Sequence, residues 1–305
     1  MIIKPAYPLS TAVTTVAGFH TVSRCALQGR IYKNVLANAP PKDYEIKQLL
    51  KPVGVSQGVL KNGVTRGGNG FLDMFNKSKV TKRTAELEKE YTHSGFYGLH
   101  VFEQTKGKVF LAPKGPWAAP TAQYFPPVKA KVMFSKNTTE KNAPTLQNML
   151  QPNGAVVALF SSQNGASIVS SWIKEIQNYM NRDNASVENS ENLKLPVIYL
   201  NMIDGALPSL LLQAFGKKHI TDMCNNTTDN INIDYFLIGN KRQLSFTIQE
   251  QLRINNNHTG YIFILDKNQK VRWLASGPID HPLTKTSDGD NSELKYFIFN
   301  NQPTK

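Results

Sequence analysis

The chain has 305 residues, 40% hydrophobic and 19% charged, which is the composition of a folded protein and excludes a disordered one. That length carries one substantial core with an extension, or two small domains. The net charge of +13 is unevenly placed: residues 1–154 hold 21 Lys+Arg against 8 Asp+Glu, whereas residues 155–305 hold 14 of each.

The first acidic residue is Asp43, and the stretch before it carries Lys4, Arg24, Arg30, Lys33 and Lys42 among Ser10, Thr11, Thr14, Thr15, Thr21 and Ser23. This is the composition of a mitochondrial transit peptide, expected over residues 1–34, with a disordered basic tail as the alternative. Threonines interrupt its apolar runs, which argues against a secretory signal. No stretch approaches the ~18 apolar residues of a spanning helix, so a soluble or peripheral protein is expected. Of the two cysteines, Cys25 falls in the expected leader, which leaves Cys224 as a single mature thiol with no internal disulfide. The Asn-x-Ser/Thr sequons at Asn137, Asn184, Asn226 and Asn257 are chance matches in an asparagine-rich chain.

Residues 43–60 suggest a short helix ending at Pro52, and 61–70 (KNGVTRGGNG) a glycine-rich linker without the Lys-Ser/Thr ending of a phosphate loop. Residues 78–93 read as a solvent-facing helix with Lys82 and Glu86 four apart. A hairpin is expected from Leu99 to Leu111 around Lys106 and Gly107, then a proline-rich loop at 113–127 and a strand near Lys131–Phe134.

From Ala155 strands alternate with helices. Ala155–Phe160 is an apolar strand, followed by a helix with Ile168, Val169, Trp172, Ile173, Ile176 and Met180 on one face. Pro196–Met202 is a second strand, and Pro208 opens a short helix carrying Leu210, Leu211, Leu212 and Phe215. Tyr235–Ile238 adds a strand, and Leu244, Ile248 and Leu252 mark another helix. Tyr261–Leu265 is an apolar run too continuous for a strand with one wet face; Asp266–Gln269 form a turn, Val271, Trp273 and Ala275 share one face of the returning strand, and Gly277 and Pro278 stop it. A β-α-β-α unit followed by a β-hairpin is the thioredoxin-like order. The expected fold is α/β: a thioredoxin-like domain over 155–305 without Cys-x-x-Cys, preceded by a basic N-terminal region over 35–154 with α and β elements.

The segments GYIFILD (260–266) and KVRWLASGP (270–278) resemble the C-terminal signature of the mitochondrial ATP synthase assembly factors that act on subunit 6 of the membrane sector. LKPVGV (50–55), LDMFNKSKVTKRTAELEKEYTHSGFY (72–97), GKVFLAP (107–113) and YFPPVKAKVMF (124–134) resemble further blocks of that family in the same order. The resemblance implies a non-enzymatic assembly chaperone, peripheral on the matrix side of the mitochondrial inner membrane. It would bind newly made subunit 6 (subunit a) and promote its association with the rotor ring. The segment after Pro278 departs from the acidic, helix-forming ending usual in the family: it is polar, then briefly apolar at Tyr296–Phe299.

Catalytic chemistry has no visible seat. A redox thioredoxin relative places its thiols after the first strand, where the helix N-terminus lowers a thiol pKa; here Ser161, Ser162, Gln163, Asn164, Gly165 and Ala166 occupy that place, and Thr259 and Gly260 stand where redox members keep a cis-proline. Ser161 and Ser162 are suited to capping the helix. The six histidines show no metal-ligand spacing, Asp266–Lys270 lacks a calcium loop's closing Glu, and no cofactor is expected. Partner contacts are expected instead from Tyr124, Phe125 and Pro126 in the proline-rich loop and from Arg272, Trp273 and Gly277 in the hairpin, with packing of the loop and a core place for Trp273 as the competing readings. The basic half suits a solvated face or anionic lipid. Two alternatives stand beside the chaperone: a thioredoxin-like oxidoreductase using Cys224, and a mitochondrial RNA- or ribosome-binding protein, although no RNA motif is recognisable and no nucleic acid is expected.

Overall fold

The computed structural model describes residues 44–57, 95–136, 146–150, 153–184, 195–204 and 232–279, together with single positions at 77, 78, 81, 84, 216, 218, 220 and 221. The expected leader, the glycine-rich linker, most of the 78–93 helix, the helix from Pro208, Cys224 and the tail after 279 lie outside these residues. All described residues belong to one compact unit, Asp43–Lys305.

Among the described residues its centre is a six-stranded mixed sheet. In chain order the strands are β1 (Ala130–Ser135), β2 (Ala155–Phe160), β3 (Val197–Ile203), β4 (Tyr235–Asn240), β5 (Gly260–Leu265) and β6 (Val271–Ser276), and the sheet order is β1-β4-β3-β2-β5-β6. β2, β3 and β4 run parallel; β1, β5 and β6 pair antiparallel with their neighbours. Every residue of β2 and of β5 is buried, because both faces of the sheet are covered and a continuous apolar run is the sequence that such a strand needs.

Alternation sends strand residues to two cores. On one face Val156, Ala158, Ile262, Ile264 and Trp273 meet Val169, Trp172, Ile173 and Ile176 of the long helix Gln163–Asn184. On the other, Val157, Leu159, Phe263, Leu265 and Leu274 meet Val53, Val55, Phe110, Trp117, Phe125, Leu244, Ile248 and Leu252. Among the described residues the helices with defined bounds are, in chain order, α1 (Gly95–Thr105), α2 (Leu146–Met149), α3 (Gln163–Asn184) and α4 (Phe246–Gln251), with a short 3-10 turn at Lys241–Gln243.

Three local expectations are corrected. Residues 99–111 do not form a hairpin: α1 runs to Thr105, and Lys106 and Gly107 are its cap. Both have positive φ (51° and 88°), and the Gly107 N–H reaches back to the Phe102 carbonyl at 3.0 Å, so the pair that read as a strand turn ends a helix. Residues 44–56 form no helix before Pro52. They run extended beside 109–125, with Gln48 bridged to Leu111 and Val55 to Tyr124. Val271 does not share the face of Trp273: Ile264 pairs with Trp273 and Leu265 with Val271, so Arg272 is an extra residue that sends Val271 to the opposite core.

Candidate functional site

The β5–β6 hairpin and the loop wrapped around it gather all six residues expected to meet a partner. The turn is organised by Asp266, whose Oδ1 accepts the N–H groups of Asn268 and Lys270 at 2.9 Å each. Gln269 takes the left-handed conformation (φ 64°) that closes such a turn, and its buried amide donates to the Phe125 carbonyl at 3.0 Å. Strand pairing then continues outward: Phe125 N–H donates to Gln269 O, Val271 N–H to Gln123 O and Trp117 N–H to Arg272 O, at 2.7–2.8 Å.

The loop 113–127 is thereby sewn to the hairpin, and its residues fall into two groups. Phe125 is fully buried, edge-on to Phe263 with ring centroids 5.2 Å apart, and Pro126 is buried beside it. Trp273 is buried edge-on to Trp172 at 5.8 Å and donates its indole N–H to the Pro113 carbonyl at 3.1 Å. Gly277 is buried with φ 70°; a Cβ there would stand 2.5 Å from the Gly107 carbonyl oxygen. Tyr124 and Arg272 are half-buried, and these two reach the surface. Lys270 Nζ lies 5.3 Å from the centre of the Tyr124 ring and donates to the Ala119 carbonyl at 2.6 Å. Arg272 donates through Nε to the Trp117 carbonyl at 2.6 Å and sits 3.7 Å from the Asp266 carboxylate. Burial pulls the Arg272 pKa down, and the Asp266 charge opposes that pull.

The second feature is the junction of β2 and α3, the place expected from sequence to correspond to the thiols of a redox thioredoxin relative. Ser162 caps α3: its Oγ accepts the Gly165 N–H at 3.1 Å and donates to the His258 carbonyl at 3.1 Å. Opposite it, Thr259 is buried and donates its hydroxyl to the Gly107 carbonyl at 2.7 Å, while Asn256 donates to the Gly98 carbonyl at 2.9 Å. α1 and its cap therefore cover the loop that leads into β5. Sequence reasoning missed this cover because it read α1 as a hairpin. The signal was available in the spacing of Tyr97, Gly98, Val101, Phe102 and Thr105, which recurs every three to four residues.

Among the described residues no group of His, Cys, Asp or Glu side chains could hold a metal ion, and no helix is long and apolar enough to cross a membrane.

The family described as ATP10 protein matches residues 33–283. A protein of Candida glabrata named mitochondrial ATPase complex subunit ATP10 is 33% identical over 263 residues, covering 85% of this chain and 89% of the relative. Its namesake in Saccharomyces cerevisiae is 30% identical over 262 residues, covering 84% and 90%, and that of Eremothecium gossypii is 29% identical over 248 residues, covering 79% and 83%. The matched region spans the N-terminal segments, the sheet and the hairpin together, and on that ground the chain belongs to the ATP10 protein family.

Proposed function

We propose that this protein is a non-catalytic assembly factor of the mitochondrial ATP synthase that binds newly made subunit 6 and promotes its association with the rotor ring. Family membership over most of the chain is the observation that carries this reading, since the relatives are named for the mitochondrial ATPase complex. The parallel β2-α3-β3 unit beside the antiparallel β5-β6 hairpin supports a thioredoxin-like domain over 155–305. It follows a basic region at 35–154 and a transit peptide at 1–34. Where that fold would carry reactive thiols, Ser162 spends its hydroxyl on capping and on the His258 carbonyl, which supports a domain kept for its binding surface. The basic first half suits peripheral attachment to anionic lipid on the matrix side of the inner membrane.

An apolar membrane subunit needs a transient partner before its own interfaces exist, and the rim made by Tyr124, Lys270 and Arg272 over the buried Phe125, Pro126, Trp273 and Gly277 is the surface we assign to that contact. Pulse-chase labelling of mitochondrial translation products in cells lacking the protein tests the proposal. The soluble catalytic head should assemble normally while labelled subunit 6 decays quickly; normal persistence of subunit 6 would refute it.

A further inference from the structure

The two edges of the sheet are treated differently. The outer edge of β6 is closed by the chain itself, through Trp117 N–H to Arg272 O, Val271 N–H to Gln123 O, and the Ser276 hydroxyl, which both donates to and accepts from the Phe110 backbone at 3.2 Å. The outer edge of β1 carries no such cover among the described residues. β1 pairs with β4 on its inner side only. Lys129, just before the strand, turns both backbone groups inward to the Gln243 amide, its N–H donating at 2.7 Å and its carbonyl accepting at 3.1 Å. Alternation along an antiparallel strand then carries the N–H and C=O of Ala130 and Val132 outward.

Such an edge is a template for another strand, and its charge says which kind. Lys129 and Lys131 are exposed, β1 holds no acidic residue, and neither lysine is in an ion pair among the described residues. Lysines on an edge repel a second copy of the same edge, because antiparallel self-pairing brings like charges face to face. A strand bearing carboxylates at alternate positions meets the opposite situation. Ala130 and Val132 are half-buried and lie on the core formed with Leu237 and Leu244, so the edge offers an anchored backbone rather than a frayed one.

We propose that β1 is a docking edge for an extended acidic segment of a partner protein, added as a seventh strand beside Ala130–Val132. This goes beyond the assembly reading and stands independently of it.

The test uses the full chain, a short peptide alternating Glu with Val, and the same peptide with Lys in place of Glu. Titration followed by amide NMR should show the Glu peptide shifting the Ala130 and Val132 signals and slowing their hydrogen exchange, with the Lys peptide inert. Reversing both charges, Lys129→Glu with Lys131→Glu, should weaken binding by about tenfold or more, as two cross-strand pairs turn from attractive to repulsive. Both side chains are exposed, so the fold should persist. Ala130→Pro, at the first strand residue with its N–H outward, should block the peptide while leaving the fold intact. Equal binding of the Lys peptide, indifference to the charge reversal, or shifts confined to other strands would overturn the proposal. One further result would overturn it in favour of an internal occupant: Ala130 and Val132 amides already protected in the free chain, and released by Asp288→Asn, Asp290→Asn and Glu293→Gln.

Discussion

Gly165 of α3 and Gly260 of β5 approach each other so closely that neither position has room for a side chain. A Cβ on Gly260 would stand 2.5 Å from the Gly165 carbonyl oxygen, and one on Gly165 would stand 2.6 Å from the Thr259 carbonyl oxygen. Neither glycine has positive φ, so steric contact alone sets the requirement. Because the obstacles are backbone atoms, they cannot swing aside. Gly260→Ala should destabilise the protein by about 1–3 kcal/mol, read as a lowered urea midpoint. Gly98, inside α1, is the control: the nearest atoms to a Cβ there are 3.6 Å away, and Gly98→Ala should stabilise by about 0.5–1 kcal/mol. Equal midpoints for the two variants would show that the Gly165–Gly260 contact has room for a methyl group.

Asp266 supports the hairpin through two backbone N–H groups and the Arg272 guanidinium. Asp266→Ala should cost about 2–4 kcal/mol, since it leaves two backbone donors without their acceptor and takes the nearby carboxylate from the half-buried Arg272 guanidinium. Asp266→Asn keeps the Oδ1 acceptor and should cost less than half as much. A chemical denaturation series separates the two, and identical losses would place the whole effect on the charge.

How much of this was legible in the sequence depends on the range of the interaction. The β5–β6 hairpin was readable because its signals are local: Tyr261–Leu265 is continuous apolar chain and Asp266–Gln269 is turn chemistry. The helix face of Val169, Trp172, Ile173 and Ile176 was readable for the same reason. The extra residue at Arg272 was not, because its guanidinium is held by Trp117, a residue 155 positions away, and alternation counted from sequence alone carries Val271 to the wrong face. Lys106-Gly107 misled because left-handed residues end helices as well as turn strands. The wrapping of 44–56 and 107–125 onto the sheet rests on long-range backbone pairing that leaves no periodic trace.

Tyr261 sets an alkaline limit. It is fully buried, donates to the Asn256 carbonyl at 3.0 Å and accepts the Asn256 N–H at 3.1 Å, and burial pushes its pKa far above the usual tyrosine value. Burial also raises Tyr44 and Tyr97. A raised folded-state pKa means that the unfolded chain releases its proton first. The stabilisation is therefore complete below about pH 10, where free tyrosine ionises, and is lost as pH climbs above it. Tyr261→Phe should lower stability at pH 7 by about 1–3 kcal/mol through the two lost hydrogen bonds, and should flatten the decline above pH 10. Urea midpoints at pH 7, 9, 10 and 11 check both; a variant whose decline parallels the parent would assign the alkaline limb to other groups.

Under the proposed assembly function the domain acts through its shape and not through a thiol. The most direct measurement is the amount of assembled ATP synthase, on native gels, in cells whose only copy of this protein carries Cys224→Ser. Assembly at the parental level is the predicted result. Loss of the assembled enzyme, with the variant present at normal abundance and folded, would return the protein to thiol chemistry.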